Sequence, residues 1–207
     1  MKKNSFLILS ILLTIVSGAC SGSQQPQSLR IAVLPVLDVL PLYVAQAQGY
    51  FTDAGLEVEL VPVNSAPERD QLMQAGQIDG MLNELESTIL YNRDETRVQV
   101  IRFARIATSE YPLFRILSAP NSGIENVMGL REVPVAISDG TIIEYTTDRL
   151  LQNAGLTPDE IEKVSVPKIP DRMALLLSGE VKAANLPDPV ASLALLNGCT
   201  LVIDDTV

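Results

Sequence analysis

Pro67, Arg69, Leu72 and Gly76 recur at identical internal spacing as Pro170, Arg172, Leu175 and Gly179. Ala54-Gly55-Leu56 recurs in the same order as Ala154-Gly155-Leu156, so the copies are offset by 103 and 100 residues. Seven residues past each closing glycine a strand is expected to end, at Asn83 and at Leu186. One match of common residues such as Leu and Gly carries nothing. Agreement in order, offset and expected element points to two similar lobes, each built from the same strand-and-helix scheme.

The residues between the echoes keep that scheme. Residues 29–33 form a short apolar strand, and Asp38 is placed to cap a helix reaching Tyr50, with Pro41 tolerated in its first turn. Leu56, Val58 and Leu60 alternate with Glu57 and Glu59, the pattern of a half-buried strand. Ser65-x-x-Glu68 is a capping box that opens a helix closed by Gly76. A brief strand over 79–82 leads to a helix capped by Asn83, and 98–106 and 113–118 are expected to be strands. The second round runs strand 133–138, helix 141–154, strand 164–166, helix 170–178, strand 183–186, helix 189–196 and strand 200–203. Such alternation predicts an α/β fold with mainly parallel sheets and flanking helices. Pro120-Asn121-Ser122-Gly123 interrupts the pattern, which sets a first lobe at 29–117, a second at 118–200 and a further strand beginning at 201–207.

The N-terminus carries Lys2 and Lys3, then an apolar run over 6–16, then Ser17-Gly18-Ala19-Cys20. A cationic end, a short apolar core and small residues at a cleavage site describe a secretory signal peptide over 1–19. A bilayer span needs about 20 apolar residues, so a retained membrane helix is the weaker alternative. Val16 to Cys20 resembles the bacterial lipobox, although Ser17 stands where leucine is commonest. That resemblance implies lipid attachment at Cys20 and an anchor in a membrane. The alternative is a plain signal peptide cut after Ala19. Residues 20–28 are Ser/Gln/Gly/Pro-rich and uncharged, which suits a flexible tether.

Loss of the signal removes two lysines and no acid, taking the formal charge from −10 to −12. Such a balance disfavours nucleic acid and anionic membrane surfaces, which select clustered Lys and Arg. The chain has no histidine, which excludes Ser-His-Asp and Cys-His catalysis and His-bearing zinc sites. With Cys20 given to the lipid, Cys199 has no disulfide partner, and its apolar surroundings suit an inert buried thiol. Neither a catalytic centre, a metal site nor a cofactor is expected.

Ligands of open α/β sheets bind beyond the carboxyl ends of the strands, near helix N-termini. Four strand-to-helix turns qualify: 34–38, 82–84, 138–141 and 186–188, two from each lobe. Asp38, Asn83, Asp139 and Asp188 are candidate ligand contacts, and equally good helix caps. Gly140 permits close backbone approach. Asp38, Glu84, Asp139, Glu144 and Asp188 lie in or beside these turns, whereas no Lys or Arg does. A neutral or cationic small solute is therefore favoured, with Arg102 and Arg105 as possible sources of positive charge.

Residues 29–33, followed by Leu40-Pro-Leu-Tyr-Val-Ala45, Gln48-Gly-Tyr-Phe51 and Gly55-Leu56, resemble the opening of solute-binding proteins of the nitrate/sulfonate/taurine and thiamine-pyrimidine-precursor type. Leu72, Gly76 and Asp79, and the turn Gly140-Thr141, are similar too. The resemblance implies a periplasmic-binding-protein fold of the second type, with two lobes, two crossing hinge strands, closure over a solute, and delivery to an ABC permease. It maps ligand contacts onto Asp38, Leu40, Asn83, Glu84, Ser138, Asp139, Gly140 and Thr141, with Asp188 as a weaker extension. Family members return to complete their first lobe. A chain stopping at Val207 is therefore expected to be truncated, with an incomplete first lobe and apolar surface exposed there. Enzymes resembling this family rely on histidine and a cysteine-rich iron site, so a monomeric binding protein is expected. A surface-tethered ligand sensor of the same fold is the alternative.

Overall fold

The computed structural model describes residues 27–106 and 108–206. The signal segment and Cys20 lie outside the described residues. Two sheets organise the chain. The first holds β1 (Gln27–Val33), β2 (Leu56–Pro62) and β3 (Gly80–Met81), all parallel, in the order β2-β1-β3. The second holds β4 (Phe114–Ser118), β5 (Val135–Ile137), β6 (Lys163–Ser165), β7 (Ala183–Pro187) and β8 (Thr200–Asp204) in the order β6-β5-β7-β4-β8. β5 is parallel to β6 and β7, while β4 runs antiparallel between β7 and β8.

Helices connect these strands: α1 (Leu40–Ala47), α2 (Tyr50–Asp53), α3 (Ala66–Gln74), α4 (Leu85–Tyr91), α5 (Ile142–Asn153), α6 (Ile169–Ser178) and α7 (Val190–Leu196). Local chemistry explains several boundaries. Ser65 Oγ accepts from the Glu68 N–H, and Glu68 Oε2 accepts from the Asn64 N–H at 2.9 Å, so the two side chains fix the start of α3. Thr141 caps α5 by accepting from the Ile143 N–H. Gly179 takes a left-handed φ of 76° and ends α6.

In the second lobe the sheet is covered on both faces. Ile116, Val135 and Ile137 pack against Ile143, Leu150 and Leu151 of α5. Leu117, Ala184 and Leu186 pack against Leu176 of α6 and Ala191 and Ala194 of α7. Cys199 is buried and free in that second cluster. The first lobe has a smaller core of Ala32, Leu34, Val63 and Ile78, completed by Ile169 from the second lobe. It also leaves Ile89, Ile101, Phe103 and Ile106 exposed.

Several expectations are corrected. Residues 98–106 form no strand; they have no main-chain pairing among the described residues and instead run along the cleft. The single helix expected from Asp38 to Tyr50 is instead a 3-10 turn over Leu37–Val39 followed by α1, and Gly49, at φ 77°, separates α1 from α2. Gln27 and Ser28, assigned to the tether, pair with Leu56 and Glu57 in β1. Phe114 to Leu117, placed in the first lobe by the sequence boundary, hydrogen-bond within the second sheet.

Candidate functional site

A cleft of about 770 Å³ opens between the lobes, within the usual size range for a small-molecule site. Leu82, Asn83 and Glu84 reach it from the end of β3, and residues 97–106 form a long side wall. Ser138, Thr141, Ile142 and Ile143 reach it from the junction of β5 with α5, and Pro187 and Asp188 from the end of β7. The walls are predominantly apolar, with a small set of polar atoms at the strand ends.

Of the nine residues named as candidate contacts, Asp38, Asn83, Glu84, Ser138, Thr141 and Asp188 line this cleft. Three others do not. Leu40 is exposed on α1 and faces a shallow depression with Tyr43 and Pro62. Asp139 and Gly140 stand outward on their turn, exposed and away from the cleft lining. The Gly140 N–H donates to Glu144 Oε2 at 2.8 Å, so that backbone donor serves the helix rather than a cleft ligand.

Four of the five rim acids are met by basic side chains remote in sequence. Asp38 faces Arg105 at 2.8 Å, Glu84 faces Arg69 at 2.8 Å, and Glu144 faces Lys163 at 2.8 Å. Asp188 is held by Arg115 and by the hydroxyl and N–H of Ser192. Burial raises the Asp38 carboxyl above its ordinary value, and Arg105 offsets only part of that rise. The expectation of a neutral or cationic solute rested on acids without basic partners, and these pairs remove that basis.

Helix capping, the other role weighed for these residues, is also redistributed. Neither Asp38 nor Asn83 caps a helix with its side chain. Asn83 donates to Thr88 Oγ1, and its Oδ1 has no partner among the described residues. Ser138, almost wholly buried at the end of β5, likewise keeps an unpartnered Oγ. Thr141 is occupied on both sides, donating to the Ser138 carbonyl at 2.7 Å and accepting from the Ile143 N–H.

Two residues of the sequence echo sit directly behind the cleft and were not read as site residues. Arg69 is buried and binds Asp70, Glu84 and the Leu82 carbonyl. Arg172, also buried, borders the cleft and donates to the carbonyls of Asn185, Val166 and Pro167. Their matching places in the two copies were the available signal.

The alkanesulfonate-binding protein SsuA of Xanthomonas axonopodis pv. citri, bound to MOPS, superposes with a TM-score of 0.69 at 20% identity, over 88% of this chain and 62% of its own. The ligand-binding component of an ABC-type import system from Staphylococcus aureus gives 0.71 at 13% identity, over 87% and 62%. PhnD1 of Prochlorococcus marinus, in complex with methylphosphonate, gives 0.66 at 15% identity, over 86% and 72%. The fold is therefore the two-lobed α/β arrangement of periplasmic binding proteins of the second type, and the chain spans about three fifths of the first two structures. No curated protein sequence matches it. The family model described as NMT1/THI5 like matches residues 37–187. That match takes in well over half of the chain, which belongs to the NMT1/THI5-like family.

Proposed function

We propose that this protein is the extracytoplasmic solute-binding component of an ABC importer and carries no enzymatic activity. The observation that carries the reading is the cleft of about 770 Å³ lined from both lobes. A solute touching both walls favours the closed arrangement by its differential affinity, and the closed form is what a permease distinguishes from the open one. The apolar walls suit a small organic solute with an apolar body, and the unpartnered atoms of Asn83 and Ser138 would fix its polar groups. Asp38, Asn83, Glu84, Ser138, Thr141 and Asp188 are the contacts proposed.

The same reading places Cys20 as the lipid-bearing residue that keeps a monomeric protein beside its permease. Stable anchoring needs more than one acyl chain, and the lipobox resemblance of 16–20 supplies that. Cys20→Ser is expected to release the protein from membranes, and unchanged membrane association would sink the anchor.

A thermal-shift screen across small organic solutes tests the binding role. Concentration-dependent stabilisation by at least one compound is expected, since a ligand at a hundredfold its Kd adds about 2.7 kcal/mol. A chain that no small solute stabilises would not be a binding protein.

A further inference from the structure

Main-chain hydrogen bonds cross between the lobes as a reciprocal pair. The Leu37 N–H of the first lobe donates to the Asp188 carbonyl of the second at 3.0 Å, and the Ile169 N–H of the second donates to the Asn64 carbonyl of the first at 3.0 Å. Each donor is the first residue of its element, the 3-10 turn Leu37–Val39 and α6, and each acceptor lies within two residues of a strand's end, β7 and β2. The first N–H groups of a helix have no partner inside it and are commonly met by a capping side chain. Neither Val36 nor Lys168, which precede the two donors, provides one. By contrast α3, the counterpart of α6 in the first lobe, has its own cap in Ser65. The missing caps are supplied by the opposite lobe.

Both acceptors are held in place. Asp188 is fixed through its carboxylate by Arg115 and Ser192, and the Asn64 N–H donates to Glu68 Oε2 at 2.9 Å. Leu34 and Val36 line both the cleft and the shallow depression beside α1, so the connection from β1 to Leu37 is the partition between them. Leu37 and Asn64 stand on the depression side of it, Asp188 and Ile169 on the cleft side. The two bonds therefore run through the partition and tie the lobes together along that flank of the cleft.

We propose that these hydrogen bonds are a reciprocal latch, in which each lobe caps the other's helix start and the chain itself stabilises the closed arrangement. Separating the lobes hands both N–H groups and both carbonyls to water at once, and it uncovers Ile169, which is buried in the core of the first lobe. One such hydrogen bond shifts the balance of closed and open forms about three- to tenfold. The latch deepens the closure step of the solute-binding role and rests on that reading for its use. A solute has less to supply when its binding-competent form is already populated.

Amide hydrogen exchange of the full chain, followed by NMR with no solute added, tests the latch. The Leu37 and Ile169 amides are expected to exchange at least about tenfold more slowly than unprotected amides, although each stands first in its element. Leu37→Pro removes one donor with little strain, because proline suits the first helical position and Val36 before it is already extended at ψ 157°. It should speed exchange at Ile169, in the other lobe, about three- to tenfold. Leu37→Ala keeps the N–H and should leave Ile169 as it is in the parent chain. Unprotected Leu37 or Ile169 amides in the parent chain would overturn the latch, and that reading stands even where the proline variant fails to fold. Equal Ile169 exchange in the two variants would overturn it as well, leaving two independent contacts. No solute enters these measurements, so failure of the latch is read separately from failure of the solute-binding role in the thermal-shift screen.

Discussion

Arg69 and Arg172 share one structural task and differ in how their charge is met. Each is fully enclosed, each lies on the first turns of a helix with proline at its second position, and each anchors that helix to a main-chain carbonyl, Leu82 just past β3 for Arg69 and Asn185 within β7 for Arg172. Only Arg69 is paired with carboxylates. The two positions thus separate the cost of losing a buried hydrogen-bond hub from the cost of losing a buried ion pair.

Arg69→Met is expected to cost about 3 kcal/mol, because it strands Asp70 and Glu84 beside an apolar side chain. The value sits at the low end of the range for buried pairs, since both carboxylates keep about a quarter of their side-chain surface in solvent. Arg172→Met strands three carbonyls and no charge, and should cost less, about 1–3 kcal/mol. Urea denaturation of both variants checks the order. An Arg172→Met loss exceeding that of Arg69→Met would refute this account of the two sites.

Asp38 should titrate above its ordinary 3.8, because burial outweighs the nearby Arg105. A carboxyl whose folded value is raised binds its proton more tightly when folded, so its contribution to stability grows as pH falls through that range. Arg105→Gln removes the one influence pulling the value down and should raise it further. Carbon-detected NMR titration of the Asp38 carboxyl reads this directly. A midpoint that falls or stays fixed in the variant would mean that the two side chains are not paired in solution.

What the residues disclosed depended on how local the cause was. The Ser65-x-x-Glu68 box, the Thr141 cap and the closing Gly179 act within a few residues, and the structure has a helix boundary at each. The strand expected over 98–106 needed a partner that apolar content alone does not provide. The charge of the rim was misjudged for a similar reason. Asp188 meets Arg115 across 73 residues and Asp38 meets Arg105 from a different element, so a tally of acids near each turn omitted their counter-charges. Leu40 and Asp139 show a third limit. Membership of a strand-to-helix turn does not say which side of the turn faces the cleft.

Glu144 should give the acid limb of the stability curve a measurable component. The Lys163 ammonium and, after it, the Gly140 N–H hold its carboxyl below the ordinary 4.5. The sign follows from that depression: the contribution is complete above about pH 4.5 and is lost as pH falls through the lower folded value. Because the pair is partly exposed, about 0.5–1 kcal/mol is expected. Glu144→Gln should flatten the fall in unfolding free energy between about pH 5 and pH 3 by that amount. A variant curve parallel to the parent's would show that the pair contributes nothing in solution.

Ile169 joins the lobes. It is the first residue of α6, yet it packs with Ala32, Leu34, Val63 and Ile78 of the first lobe, and its N–H donates to the Asn64 carbonyl at 3.0 Å. Ile169→Ala removes a buried side chain from the smallest of the three cores, and should cost about 2–4 kcal/mol. The position predicts where the loss is felt. Amides of β1 should exchange faster in this variant, because their packing depends on Ile169. Leu176→Ala, a deletion of a fully buried side chain inside the second lobe, should lower global stability without that local signature. Hydrogen-exchange mass spectrometry of the two variants separates the cases. Equal protection of β1 in both would mean that the lobes are stabilised independently and that Ile169 is not a coupling residue.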